Sequence, residues 1–195
     1  MVDMEEELAY TAFLGETLIA SGQLETMLPQ LKAKFDQGDG ALFLIFEDRT
    51  GRQVDFDLRG TIGEVLERAL PARPHTGPGR PKLGVVSREV TLLPRHWDWL
   101  EHQPNGASAA LRRLVDEARK REPGKQRARL AMDATSRFLS AMAGNLPGYE
   151  EATRALYAAN QARFEELVRG WPGDIRLHLQ RLAQDAFRPG DPPAL

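Results

Sequence analysis

The sequence predicts an α+β protein, and three observations carry that reading. Short apolar and alternating runs of strand length crowd the first 70 residues. Apolar residues at helical spacing fill the last third. A proline- and glycine-rich basic stretch, followed by a short strand and two helices, separates them. The expected plan is an N-terminal ββαββα layer over residues 1–70 and a linker over 71–82. A strand–helix–helix unit follows over 83–122, then helices over 123–188 and a frayed tail over 189–195.

Within the first region, Ala9–Leu14 and Thr17–Ala20 flank Gly15-Glu16 and read as a hairpin. Leu24, Met27, Leu28, Leu31 and Phe35 then fall on one helical face, with Pro29 as a local objection. Ala41–Phe46 is continuously apolar, too short for a helix and suited to a central strand. Val54, Phe56 and Leu58 alternate with Asp55, Asp57 and Arg59, the pattern of a half-buried strand with a wet outer face. Thr61-Ile62-Gly63-Glu64 fits a capping box opening a helix through Val65, Leu66 and Leu70. The helices are expected on one face of an antiparallel sheet.

Residues 71–82 contain four prolines and two glycines, which suits a linker or extended arm. Beyond the central unit, Leu130, Ala134, Phe138 and either Met142 or Ala141 form a stripe ended by Gly144-Asn145. Helices are expected near Tyr149–Ala158, Gln161–Arg169 and Asp174–Phe187, the last with Ile175, Leu179 and Leu182 on its apolar face.

Composition narrows the function classes. There is no cysteine, so disulfides, thiol catalysis and cysteine-bound zinc are excluded. No apolar run approaches the roughly 20 residues of a membrane-spanning helix. The acidic start Met1–Glu7 is the reverse of a secretory signal, so a cytoplasmic protein with no membrane partner is expected. The net charge of −2 conceals an asymmetry. Residues 1–72 hold 6 Lys/Arg against 14 Asp/Glu, whereas residues 73–137 hold 14 against 7. A basic block is the footprint of an anionic partner, or else packs on the acidic part of the chain.

Catalytic and metal motifs are missing. His75, His96, His102 and His178 are scattered, and no nucleophile elbow, phosphate-binding loop or dinucleotide fingerprint occurs. Asp55 and Asp57 share a strand face but read as its solvent side. No metal, no cofactor and no enzymatic activity are expected.

The order of basic arm, strand, proline-opened helix and second helix resembles a ribbon-helix-helix unit, a dimeric DNA-binding module, over residues 79–122. In that resemblance the strand 86–93 pairs with its copy in a dimer and enters the major groove. Val86, Val90, Leu92, Trp97, Leu111 and Leu114 would form the dimer interface. Arg80, Lys82, Arg88, Thr91, Arg95, Ser108, Arg112 and Arg113 would face DNA, with Ser108 as N-cap of the second helix and Arg112 beside a phosphate clamp. Glu89 departs from the pattern because it would repel phosphate, and the first helix is about one turn short. Gly79-Arg80-Pro81-Lys82 also resembles the core of an AT-hook, although a basic linker is the first reading. Trp97, Trp99 and Trp171 are read as core or dimer residues before base-stacking ones.

Longer strings carry a second resemblance. Asp55–Gly60, Gly79–Val86, Arg88–Leu100 and Ala141–Glu150 are similar to a bacterial family of uncharacterised proteins, the domain of unknown function numbered 2239. That likeness implies a bacterial protein whose parts belong together, and no activity or site residue.

Two functions follow as expectations. The first is a homodimeric DNA-associated protein or transcriptional regulator, whose N-terminal part takes an unknown small-molecule or protein ligand. The alternative is a non-catalytic interaction or adaptor protein that uses the central unit only to dimerise, which would explain Glu89. An enzyme of unrecognised chemistry comes third. Nothing in the sequence specifies an operator or a ligand.

Overall fold

The computed structural model describes residues 8–38, 42–70, 88–121 and 123–188. The segments 8–38, 42–70 and 124–188 belong to one compact unit, unit 1, and 88–121 to a second, unit 2. The two stretches that the sequence separates as 1–70 and 123–188 thus share one unit.

Unit 1 begins with strands β1 (Tyr10–Leu14) and β2 (Thr17–Gly22), joined at Gly15, whose φ of +58° suits a residue without a Cβ. Helix α1 (Leu24–Asp36) leads to β3 (Phe43–Glu47) and β4 (Arg52–Val54), then to helix α2 (Ile62–Ala69). This is the expected ββαββα order. The sheet order is β2-β1-β3-β4 and every pairing is antiparallel. The crossover through α1 therefore puts β3 beside β1.

The alternation of side chains explains both the strands and the core. Ala12, Ala20 and Ile45 turn to one face, where Met27, Leu28 and Leu31 of α1 and Val65 of α2 cover them. Phe13 and Phe46 turn to the other face and pack with Phe138, Leu139, Leu156 and Leu179. The second face is not wet, which corrects the expectation of helices on one face only. The continuous apolar run at 43–46 has this cause, since β3 is buried on both sides. Strand pairing stops at Val54, shorter than the alternation suggested. Val54, Phe56 and Leu58 nonetheless turn inward and Asp55, Asp57 and Arg59 outward, because the chain stays on the α2 side of the core.

Pro29 lies inside α1 without ending it. Its ring removes the amide that would bond to the Glu25 carbonyl, and Glu25 is at the exposed face where water can serve instead. Phe35, in the last turn of α1, is exposed rather than part of the stripe. The capping box of α2 is formed. Thr61 Oγ1 accepts from the Glu64 amide at 3.4 Å and the Glu64 carboxylate accepts from the Thr61 amide at 2.7 Å.

Helix α3 (Pro94–Glu101) and helix α4 (Gly106–Arg121) make up unit 2 among the described residues. Unit 1 then resumes in α5 (Pro123–Met142), followed by α6 (Tyr149–Tyr157), α7 (Gln161–Val168) and α8 (Gly173–Ala183). Trp171 is buried, and its indole donates to the Pro147 carbonyl at 2.9 Å. No helix among the described residues is long and apolar enough to cross a membrane.

Candidate functional site

Unit 2 is built from local signals. Leu93 is extended (φ −67°, ψ 150°) and Pro94 occupies the first helical position, where a missing amide costs nothing. The Leu93 carbonyl accepts from the amides of His96 and Trp97. Helix α3 lasts eight residues, as short as the sequence suggests. Its end is tied by His102 Nδ1 to the Asp98 carbonyl at 2.6 Å. The chain then reverses through Asn105 and Gly106, both left-handed with φ of 66° and 77°. Arg113 of α4 donates to Gln103 Oε1 at 3.3 Å and faces Glu117 at 3.8 Å.

Two expectations need correction here. Helix α4 starts at Gly106, so Ser108 lies inside its first turn and is not the N-cap. The left-handed Asn105-Gly106 pair makes the chain turn two residues earlier than a serine cap requires. Residues 88–93 carry no strand. A ribbon strand gets its hydrogen bonds from the strand of a second chain, and a single chain supplies none. The first part of that strand, with Val86, lies outside the described residues, as do Arg80, Lys82 and the arm.

The remaining predicted residues are all placed on unit 2. Arg88, Thr91, Arg95, Arg112 and Arg113 are exposed, as is Ser108. Leu92 and Leu111 are half-buried. Leu100 and Ala110 are the buried apolar residues of this hairpin, whereas Val90, Leu93, Trp99 and Val115 are each 48–55% exposed. Trp97 and Leu114 lie just beyond one-third exposed. Among its described residues, unit 2 thus presents more large apolar side chains than it buries. Trp97 and Trp99 are surface residues in the single chain, unlike Trp171.

Unit 1 contains a second polar locus that sequence reasoning missed. Asp48, in the β3–β4 turn, accepts from Thr11 Oγ1 at 2.8 Å and from Arg181 at 2.8 Å. The same Arg181 nitrogen lies 2.8 Å from Thr11 Oγ1 and 2.9 Å from His178 Nδ1. Arginine only donates, so Nδ1 accepts and the His178 proton sits on Nε2. That nitrogen is 3.8 Å from Asp48 Oδ1, too far for a direct hydrogen bond, and has no hydrogen-bond partner among the described residues. The imidazole is enclosed by Phe13 and Phe138, with ring centroids 5.5 and 4.4 Å away. Burial, reinforced by the Arg181 charge, lowers the His178 pKa to about 3. Burial also raises the Asp48 pKa, against the opposing hydrogen bond from Thr11 and charge of Arg181. The one sequence signal was the position of His178, three residues after Ile175 and one before Leu179 on an apolar stripe. The locus joins the sheet to α8 and opens onto no described cavity.

An open cleft of about 310 Å³ lies between α7 and α8 over the Phe164 and Phe187 rings, with Gln161, Glu165 and Gln184 at its rim. Asp57 is engaged by Arg59, which donates at 2.8 and 2.9 Å and holds its carboxyl well below the usual range. It serves the solvent face, as its alternation implies. No group of metal-ligating side chains occurs among the described residues.

A family model described as "Uncharacterized protein conserved in bacteria (DUF2239)" matches residues 9–183. That span includes unit 2 as well as both segments of unit 1. Neither the curated proteins nor the solved structures gave a match.

Proposed function

The chain belongs to the bacterial DUF2239 family, and from the surface of its unit 2 we propose an interaction protein that self-associates through the α3–α4 hairpin. One observation carries this reading. Unit 1 fills two apolar cores and leaves single apolar side chains such as Leu42, Tyr157 and Leu177 exposed, whereas the described part of unit 2 buries Leu100 and Ala110 and exposes Val90, Leu93, Trp97, Trp99, Leu114 and Val115. A two-helix hairpin with so little core needs a cover, and a second copy supplies an equally apolar one. Glu89, exposed beside Val90, fits a dimerising segment better than a base reader.

DNA is the further partner that charge favours, in the cytoplasmic setting a cysteine-free chain suits. Residues 73–137 hold twice as many basic as acidic side chains, and Arg88 and Arg95 are exposed beside the hairpin. Phosphate contacts release counterions, so binding that uses them weakens steeply with salt.

Sedimentation equilibrium of the full chain tests self-association, with a concentration-dependent dimer expected. A monomer throughout the accessible range would refute the reading. A salt series with random duplex DNA tests the second partner. The expected result is low-salt binding whose salt slope shrinks in Arg88→Ala/Arg95→Ala. Absence of low-salt binding would remove DNA and leave the dimer standing.

A further inference from the structure

We propose that the cleft between α7 and α8 binds a neutral nucleoside through an adenine-type base, one that carries an exocyclic amino group beside a ring-nitrogen acceptor. The cleft belongs to unit 1 and stands independently of self-association. Its floor is aromatic. Phe187 is half-buried and gives the cleft its accessible ring, and the fully buried Phe164 packs against that ring at a centroid distance of 5.4 Å. A planar heterocycle can lie on such a ring, because every base has a π face. The volume of about 310 Å³ is at the lower end of small-molecule sites, which suits a single nucleoside.

The rim then selects the ligand. Gln180 and the C-cap residue Gln184 lie one turn apart on α8, about 6 Å along its axis. Both are exposed, and neither amide makes a side-chain hydrogen bond among the described residues. Each offers a donor and an acceptor side by side, the pattern that pairs with adenine at its amino group and the adjacent ring nitrogen. The α7 wall differs. Gln161 Nε2 donates to Glu165 Oε1 at 2.7 Å, which leaves the second carboxylate oxygen and the Gln161 carbonyl as acceptors. An exocyclic amino group carries two protons, so one goes to a glutamine of α8 and the other to this acceptor wall. Charge disfavours phosphate. Glu165 is an acid at the rim, and Arg188 is already paired with Asp185 at 3.0 Å. A neutral nucleoside therefore fits the cleft better than a nucleotide or a nucleic-acid strand.

Isothermal titration of the full chain with adenosine tests the site, beside purine riboside, which lacks the amino group, and adenosine 5′-monophosphate. Adenosine should bind with a dissociation constant below about 1 mM. Purine riboside should bind at least about fivefold more weakly, since it leaves the amides and the acceptor wall without a donor. Gln180→Ala/Gln184→Ala should weaken adenosine about tenfold. Phe187→Leu, which keeps apolar bulk and removes the π face, should weaken it about fivefold. The two glutamines are exposed, so the double variant should melt with the parent, and its lost binding then reports the contact rather than the fold. If adenosine fails to bind up to about 5 mM, the cleft is not a base site. If purine riboside binds as tightly, the amino group is not read and the ligand class is wrong. If binding survives the double substitution unchanged, adenosine sits elsewhere. If the monophosphate binds about tenfold tighter than adenosine, Arg188 rather than the amides governs the cleft and the neutral class falls.

Discussion

Acidification should destabilise unit 1 through His178. The unfolded chain takes a proton on this imidazole near the ordinary pH of 6.5, whereas the folded protein holds it neutral down to about pH 3. The folded pKa of a base is depressed, so the unfolded state binds the extra proton. Stability is whole above pH 6.5 and falls as pH drops from there toward 3. Between pH 7 and 5 the loss approaches 1.5 units, or about 2 kcal/mol. The ring has no exposed side-chain surface, so solvent does not discount this figure much. Asp48 has the opposite sign: its folded pKa is raised, so it gains a proton more readily folded than unfolded and offsets part of the loss as pH nears 4. Urea unfolding at the two pH values measures the effect. A Trp97→Phe/Trp99→Phe background isolates the buried Trp171 as the reporter of unit 1. The comparison is His178→Asn in the same background. Its carbonyl keeps an acceptor for Arg181, it does not titrate, and it loses the ring packing at both pH values alike. The parent should lose about 2 kcal/mol more than this variant between pH 7 and 5. An identical pH response in both would refute the assignment of a neutral, buried His178.

Three further perturbations probe how unit 1 is joined. Gly51→Ala should destabilise by more than about 2 kcal/mol in urea unfolding, because φ is +65° and an added Cβ would lie 2.2 Å from the Ala134 carbonyl oxygen, a backbone atom with nowhere to go. A change under half that size would mean that α5 does not approach the β3–β4 turn so closely. Phe138→Ala removes the ring that touches Phe13, Phe46 and His178, and should cost about 3–5 kcal/mol. Thermal denaturation should show the strands and C-terminal helices melting together, since the sheet's second face is lost with that ring. Thr61→Ala breaks the capping box and should cost about 1 kcal/mol, with increased amide exchange confined to the first turn of α2.

Local physics made much of the fold legible. The hairpin at Gly15, the alternation from Val54 to Leu58, the Thr61–Glu64 box and the proline start of α3 each depend on residues a few positions apart. The apolar run of β3 was equally readable, because burial on both faces leaves its mark within one strand. What was not readable depends on distant partners. Nothing in Phe13 or Phe46 alone says that Phe138 covers them. Asp48 looks like any turn aspartate until Thr11 and Arg181 close around it, 37 and 133 residues away. The start of α4 was misplaced for a different reason. Ser108 is a good cap by composition, but two left-handed residues at 105 and 106 turn the chain first. In unit 2 the apolar spacing of the hairpin was readable, whereas a strand at 88–93 would take its pairing from a second chain and forms none within one.

The interrupted construction of unit 1 bears on where function resides. Its two segments flank a stretch of about fifty residues, and closing such a loop costs roughly 3–4 kcal/mol from chain length alone, growing only about 0.6 kcal/mol per doubling. The shared aromatic core and the Thr11–Asp48–Arg181 junction offset that cost at a single fixed point. An insertion tolerated on those terms is free of the need to form a closed core of its own. Unit 2 uses that freedom: its apolar residues point outward, which a domain obliged to fold alone could not sustain. That exposed surface is what the proposed self-association rests on. Variants of unit 1 therefore report on folding, and variants at the exposed apolar positions of unit 2 test the proposed self-association.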